Sequence, residues 1–215
     1  MQKFWRALKV TSLSKFWEDL TSYDFTQMER RALVAVLPVA AIEQHGPHLP
    51  VSVDSKILEG IVKLVAGSLP SGSKTVFLPT QKIGKSNEHI LFPGTLTLSY
   101  ETMQKSLIEI GECLSGHGIR KMILLNSHGG NISALDIVAR ELRVNNKLLV
   151  FNINWFGLGF PNNLYSENEL KHGIHGGDLE TSVMLALQPE LVKMERAKNF
   201  ISKGVELERK FKYIG

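Results

Sequence analysis

The chain carries one cysteine, Cys113, in 215 residues, so no internal disulfide is available to it. That suits a reducing compartment or indifference to redox state. Long apolar runs are missing as well. The longest, around residues 32–42, is interrupted by Pro38 and falls short of the roughly 18 residues a membrane-spanning helix requires. The opening MQKFWRALKV has basic residues, but no apolar stretch and small-residue cleavage site follow it, so it does not read as a secretion signal. No internal repeat and no low-complexity segment is present. Charge of one sign is not concentrated: the net charge is +4, scattered except for ERKFKY near the C-terminus. That basic stretch reads as a solvated face rather than a nucleic-acid contact. These absences lead to the expectation of a cytoplasmic protein with neither nucleic acid nor membrane as partner.

What is present is ordinary in bulk and specific in detail. Apolar content of 43% and charged content of 21% are normal for a globular protein, and the length suits a single domain over 1–215. Apolar, β-rich runs alternate with helical patterns. ALVAVLPVAA (32–41), TVFLPTQKIG (75–84), KMILLN (121–126) and KLLVFNINWF (147–156) read as strands. The segments 55–69, 99–118, 131–146 and 179–187 read as helices, and the first 30 residues as helices packed on the outside. A long polar loop, 159–173, has the character of a rim over a site. Strand and helix in alternation predict an α/β domain with a mostly parallel sheet.

In such sheets ligands bind beyond the carboxyl ends of the strands. Four polar clusters fall at or near those ends: EQHGPHLPVSVD after the first strand, KSNEHILFPGTLTLS after the second, NSHGGN after KMILL, and HGGDLET before the last helix. Glu43 and His45 are two apart, so in an extended segment they share a side. Gly46, Pro47 and Pro50 allow the chain to fold Asp54 back toward them. Carboxylates mixed with imidazole suit a borderline divalent ion such as Zn, Mn or Fe. The competing account is a hydrogen-bonded turn with incidental histidines.

His128 follows a buried strand, and Gly129 and Gly130 permit a tight turn with open backbone N–H groups. That turn also allows phosphate cradling, although it has neither the length nor the lysine of a P-loop. Asp178 reads as a helix cap and His172 as a solvated loop residue. Glu180 precedes the apolar VMLAL and is drawn inward, while His175 sits among glycines, free to approach a ligand.

Charge discriminates between these pictures. Two like charges 4 Å apart cost about 4 kcal/mol at an effective dielectric near 20. Glu43, Asp54 and Glu180 can therefore converge only with protons or cations among them. Two divalent ions and a bridging hydroxide balance the three carboxylates better than one zinc does.

Taken in order, LPVAAIEQHGPHLPVSVD, SNEHILFPGTLTLS, NSHGGN and HGGDLETSVMLALQPELV resemble the creatininase (creatinine amidohydrolase) family, from about Leu37 to Val192. The resemblance implies a three-layer α/β/α sandwich with a mostly parallel central sheet and a dinuclear metal centre. It implies hydrolysis of a non-peptide, small cyclic or formyl amide C–N bond by a hydroxide bridging two metal ions. Carried over by position, Glu43 and His128 bind one ion, His45 binds the other, Asp54 bridges them, and His175 is the acid/base group. Family members are commonly homo-oligomers, often hexamers.

One departure bears on the substrate. True creatininases resemble His-Tyr-Glu where this chain has His128-Gly129-Gly130, and their glutamate is a metal ligand. Here Glu180 is the candidate for that role, both as ligand and in catalysis. With no tyrosine to wall the pocket, the chain looks nearer the branch of formamidopyrimidine-nucleotide deformylases and the mycofactocin peptidase, and a small-molecule amide is the expected substrate class. Glu88 and His89 are expected to orient the pocket, His48 to brace its loop with Pro47 and Pro50, and the turn at Pro93 to shape the wall. Family chains often continue beyond the point where this one stops, which leaves a C-terminal truncation open. The alternative function is a non-catalytic α/β protein that binds a nucleotide or small ligand in the crevice and holds one structural ion.

Overall fold

The structure is a computed structural model that describes residues 14–173 and 175–211. Four strands, β1 (Val34–Val39), β2 (Thr75–Phe77), β3 (Lys121–Asn126) and β4 (Leu149–Asn154), form one sheet in the order β2-β1-β3-β4. Every pairing is parallel, with Val34 opposite both Thr75 and Lys121, and Lys121 opposite Leu149. Parallel neighbours need a crossover, usually a helix. The chain also contains helices α1 (Ser22–Gln27), α2 (Val53–Ser68), α3 (Tyr100–Gly116), α4 (Ile132–Asn146), α5 (Glu167–His172), α6 (Asp178–Leu187) and α7 (Lys203–Lys210). The three crossovers between strands are made by α2, α3 and α4.

Side-chain alternation sorts the sheet into two apolar faces. Ala35, Leu37 and Val39 of β1 join Met122 and Leu124 of β3 against Met103 and Leu107 of α3 and Leu135 and Val138 of α4. Val36 and Phe77 face the other way, onto Val62 of α2. On that side Ile57 of α2 and Met184 of α6 share a further cluster with Leu49 and Val53. The result is the α/β/α sandwich expected from the sequence. β1, central and covered on both faces, is buried along nearly its whole length, which is why its sequence is apolar on both sides of Pro38. Each fully buried leucine or isoleucine contributes about 1.5–3 kcal/mol through its lost contact with water.

Helix ends follow local chemistry. Thr21 and Asp24 form a reciprocal capping box on α1, and Ser99 caps α3 by accepting the Thr102 N–H at 3.1 Å. Helix α3 ends at Gly116 rather than at Gly118, whose positive φ of 86° lies just past the end. The strands are shorter than the runs that signalled them: β2 keeps three residues before Pro79, which has no N–H to donate.

Two helices depart from the expectation. The loop 159–173 ends in α5, and the first three residues of the basic C-terminal stretch, Glu208 to Lys210, lie in α7. The expectation of external helices over the first 30 residues lies partly outside the described residues; α1 is the part that falls inside. Among the described residues no helix is long and apolar enough to cross a membrane.

From β1 the chain goes outward to β2, then crosses back over β1 to reach β3. The strand order therefore reverses between the carboxyl ends of β1 and β3, and a crevice opens at such a point.

Candidate metal centre

Each polar cluster seen in the sequence arrives at that crevice. The segment leaving β1 carries Glu43 and His45, and the Glu43 N–H donates to the Val51 carbonyl at 2.9 Å, closing the loop on itself. Gly46, at φ 77°, makes the turn that a side-chain-bearing residue would resist. Asp54 lies in the first turn of α2, where the helix dipole favours a carboxylate. His128 follows β3 directly, and Glu180 lies in the first turn of α6 with His175 just before it.

Ligand-capable atoms of Glu43, Asp54 and His128 lie within 4.8 Å of one another, and so do those of His45, Asp54 and Glu180. Asp54 belongs to both groups: its Oδ2 is 3.6 Å from His128 Nδ1 and its Oδ1 is 3.7 Å from His45 Nε2. Glu43 Oε1 stands 3.2 Å from His128 Nδ1, and Glu180 Oε1 is 3.7 Å from His45 Nε2. A third grouping joins Glu43, His45 and His175. All six residues proposed from the sequence meet in one cluster.

Second contacts fix the imidazoles. The His128 Nε2–H donates to the Lys85 carbonyl at 2.7 Å, which turns Nδ1 toward the carboxylates. His45 Nδ1–H likewise donates to the Glu43 carbonyl at 3.0 Å, leaving Nε2 for the cluster. Asn126 and Asn131 hold the turn below: the Asn126 amide donates to the His128 carbonyl at 2.7 Å, and the Asn131 amide to Asn126 Oδ1 at 3.1 Å.

The donor set fits divalent cations. Both Glu43 carboxylate oxygens, His45 Nε2 and Asp54 Oδ2 are buried with no hydrogen-bond partner. Orphaned buried acceptors of this kind are costly, and four of them pointing at one spot need a partner other than water-exposed solvent. Carboxylate and imidazole together match Zn, Mn or Fe.

The protonation pattern of the metal-free cluster follows from the same crowding. Burial disfavours a charged His128, but the adjacent Glu43 and Asp54 carboxylates outweigh it and push the ring up to about 9. His45 is raised for the same reason, with Asp54 and Glu180 overcoming its burial. Burial pushes Asp54 up, partly offset by His45. Glu43 and Glu180 remain below the ordinary range because His128 and His45 outweigh their burial. His175 moves the opposite way, down to about 4, through burial and the neighbouring His45 charge.

Sequence reasoning missed one participant, Gln44, and one arrangement, a stack of three imidazoles. His175 is the middle ring of a stack, 4.1 Å from the His45 centroid and 4.2 Å from that of His89. Gln44, between two ligand candidates in the chain, bonds His175 Nε2 at 3.1 Å and His89 Nδ1 at 3.0 Å through its side-chain amide. Its position inside EQH was the available signal. His48 braces the loop as expected, its Nε2 lying 2.9 Å from Thr181 Oγ1. Two expectations are corrected. Asp178 does not cap α6, since Gly177 occupies that position without a side-chain bond. His172 is no free loop residue, because it ends α5 and pairs with Glu208 at 3.5 Å.

With this geometry in view, comparison with known proteins is decisive. The creatininase family profile, described as creatinine amidohydrolase, matches residues 18–213. The chain belongs to the creatininase family. Creatinine amidohydrolase of Pseudomonas putida is 36% identical over 182 residues, covering 76% of this chain and 67% of that protein. The mycofactocin precursor peptide peptidase of Mycobacterium tuberculosis is 30% identical over 184 residues, covering 83% of this chain and 68% of the peptidase. Among solved structures, a manganese creatininase superposes with a TM-score of 0.74 at 29% identity, covering 87% of this chain and 78% of its own. A mutant creatininase of Zn-Zn type gives 0.72, as does a mutant complexed with creatine.

Proposed function

We propose that the protein is a metal-dependent amidohydrolase with a two-cation centre. In this assignment Glu43 and His128 hold one cation, His45 and Glu180 hold the other, and Asp54 bridges them. The observation that carries it is the Asp54 carboxylate shared between two donor groups, one oxygen toward each. The zinc and manganese forms of related creatininases support the choice of ion. Divalent cations held there supply Lewis acidity toward a carbonyl oxygen and make a water nucleophilic near neutral pH.

The chain's own groups do the rest. The Lys85 and Glu43 carbonyls, with Asn126 and Asn131 beneath the turn, keep the ligand rings from turning as charge develops. His175 Nε2 is held against the Gln44 backbone carbonyl and side-chain amide, which turns Nδ1 toward the cluster, 3.5 Å from Glu43 Oε1. Held down at about 4, it is neutral at pH 7. Nδ1 can therefore take the proton of the attacking water and return it to the departing nitrogen, which leaves poorly as an anion. The Gly129 and Gly130 N–H groups are left for the tetrahedral oxyanion, the Asn131 N–H being donated to the His128 carbonyl at 3.2 Å.

The substrate is an amide in the broad sense. Gly129 and Gly130 provide no aromatic wall for creatinine, and one relative is a peptide peptidase. Formyl amides, small cyclic amides and short peptides are accordingly all in scope. Exposed Leu149 and Phe151 on the edge strand β4 favour association of copies into a homo-oligomer.

The test is to load purified protein with Zn or Mn, count ions per chain, and assay creatinine, formamides and short peptides on the same sample. Two ions per chain with chelator-sensitive hydrolysis is the expected result. One ion or none, with turnover of no amide, replaces catalysis with ligand binding in the crevice.

A further inference from the structure

The segment 193–211 brings three of its six cations, and none of its three acids, to the wall of one cavity. Of its residues, Lys198, Lys203 and Arg209 border the cavity that opens outward from His45 and His175, whereas its acids Glu195, Glu206 and Glu208 do not. Glu208 is turned away to Lys171, 2.5 Å distant, and to His172. Glu195 lies 3.8 Å from Arg196. The three cavity-facing cations make no ion pair among the described residues. Of the two acids in the wall, Glu169 accepts the Leu179 N–H at 3.0 Å, and Asp178 makes no ion pair among the described residues.

The cavity itself is large, about 1260 Å³, above the roughly 300–1,000 Å³ typical of a pocket that encloses a drug-sized ligand. Its buried end is reactive, its exposed end is basic, and Phe92 and Phe200 form apolar wall beside them. Such a chamber is oversized for a compact cyclic amide.

We infer that the substrate is an elongated amide whose scissile bond lies at the His45–His175 end and whose far end carries an anionic group, carboxylate or phosphate-like, received by Lys198, Lys203 and Arg209. This rests on the amidohydrolase assignment and narrows it. Cations at a cavity mouth raise the local concentration and capture rate of oppositely charged ligands, an effect that salt suppresses.

Three probes with one backbone test it: N-formyl-dialanine extended by glycine, by aminomethylphosphonate or by glycinamide. With metal-loaded protein at 0.01 M salt, kcat/KM for the glycine or phosphonate form is expected to exceed that for the glycinamide form by about tenfold. Raising salt to 1 M, which shortens the screening length from about 30 Å to about 3 Å, should bring the ratio close to one. The triple variant Lys198→Ala, Lys203→Ala, Arg209→Ala should do the same at low salt. The better of the two anionic probes identifies the anion. Ratios near one in the unaltered protein, or a preference that survives both salt and the triple variant, overturn the inference. Calorimetric binding of the same probes provides a second readout. Preferential binding of the charged forms without turnover upholds the anion site while the amidohydrolase assignment falls, and equal binding of all three removes the anion site.

Discussion

Gly130 and Lys85 meet backbone to backbone: a Cβ on Gly130 would collide with the Lys85 carbonyl oxygen, the same atom that accepts the His128 Nε2–H at 2.7 Å. That Cβ would also lie 2.5 Å from His128 Nε2 and 2.7 Å from Glu88 Oε1. The glycine at this position is thus enforced by its surroundings, and a side chain has no room there without moving the loop that orients a candidate ligand.

Gly130→Ala should therefore cost about 1–3 kcal/mol through overpacking and weaken metal binding by about 10–100-fold, the usual effect of disturbing an outer-shell partner. Thermal unfolding and metal titration on the same variant check both. Unchanged values for each would show that the Lys85 loop yields freely.

Asp54→Asn removes the charge shared by both donor groups while keeping the shape. Metal content should fall below two per chain. Turnover should drop by roughly a thousandfold, since several kcal/mol of charge stabilisation correspond to about three factors of ten. Metal analysis beside steady-state kinetics decides it; a fully loaded variant would remove Asp54 from the bridge.

His175→Ala should lower kcat by about 10²–10⁴-fold, the range for a lost general acid–base, with metal content kept. Its grouping with Glu43 and His45 supplies the contrary outcome: an equal loss of metal would make His175 a ligand.

Protonation gives a signed pH dependence. His128 is raised to about 9 in the metal-free protein, above its ordinary value near 6.5. The stability this supplies is complete below about pH 6.5 and disappears as pH rises through about 9. The raised carboxyl of Asp54 works in the same direction, favouring the metal-free fold at lower pH. Metal affinity runs oppositely, because a cation must displace the His128 proton. Unfolding midpoints of metal-free protein should decline from pH 6.5 to 9 while metal binding tightens across that interval and releases protons in weakly buffered solution. A flat midpoint, or binding without proton release, contradicts the cluster's protonation.

Much of this was visible in the residues. The apolar runs of β1 and β3 follow from strands covered on both faces, and Lys121–Asn126 was readable to the residue. Glu43 and His45 on one side of an extended segment, and Glu180 drawn inward ahead of an apolar run, both follow from periodicity. The short helices α5 and α7 left no such trace: neither buries an apolar stripe, and both owe their position to the Glu208 contacts. The His45–His175–His89 stack could not be read at all, since it joins rings brought together only by the crevice between β1 and β3.

The Lys171–Glu208 clasp separates two tasks along the chain. The candidate ligands come from loops rooted in the sheet, whereas the far wall of the chamber belongs to a late segment joined to the rest by the Lys193 N–H on the His48 carbonyl and by Glu208 on Lys171. Exchange of that segment for another of different charge would redirect which molecules are admitted while the chemistry inside stayed as it was. On that division of labour, preference for one substrate over another would change with the segment and not with the six inner residues.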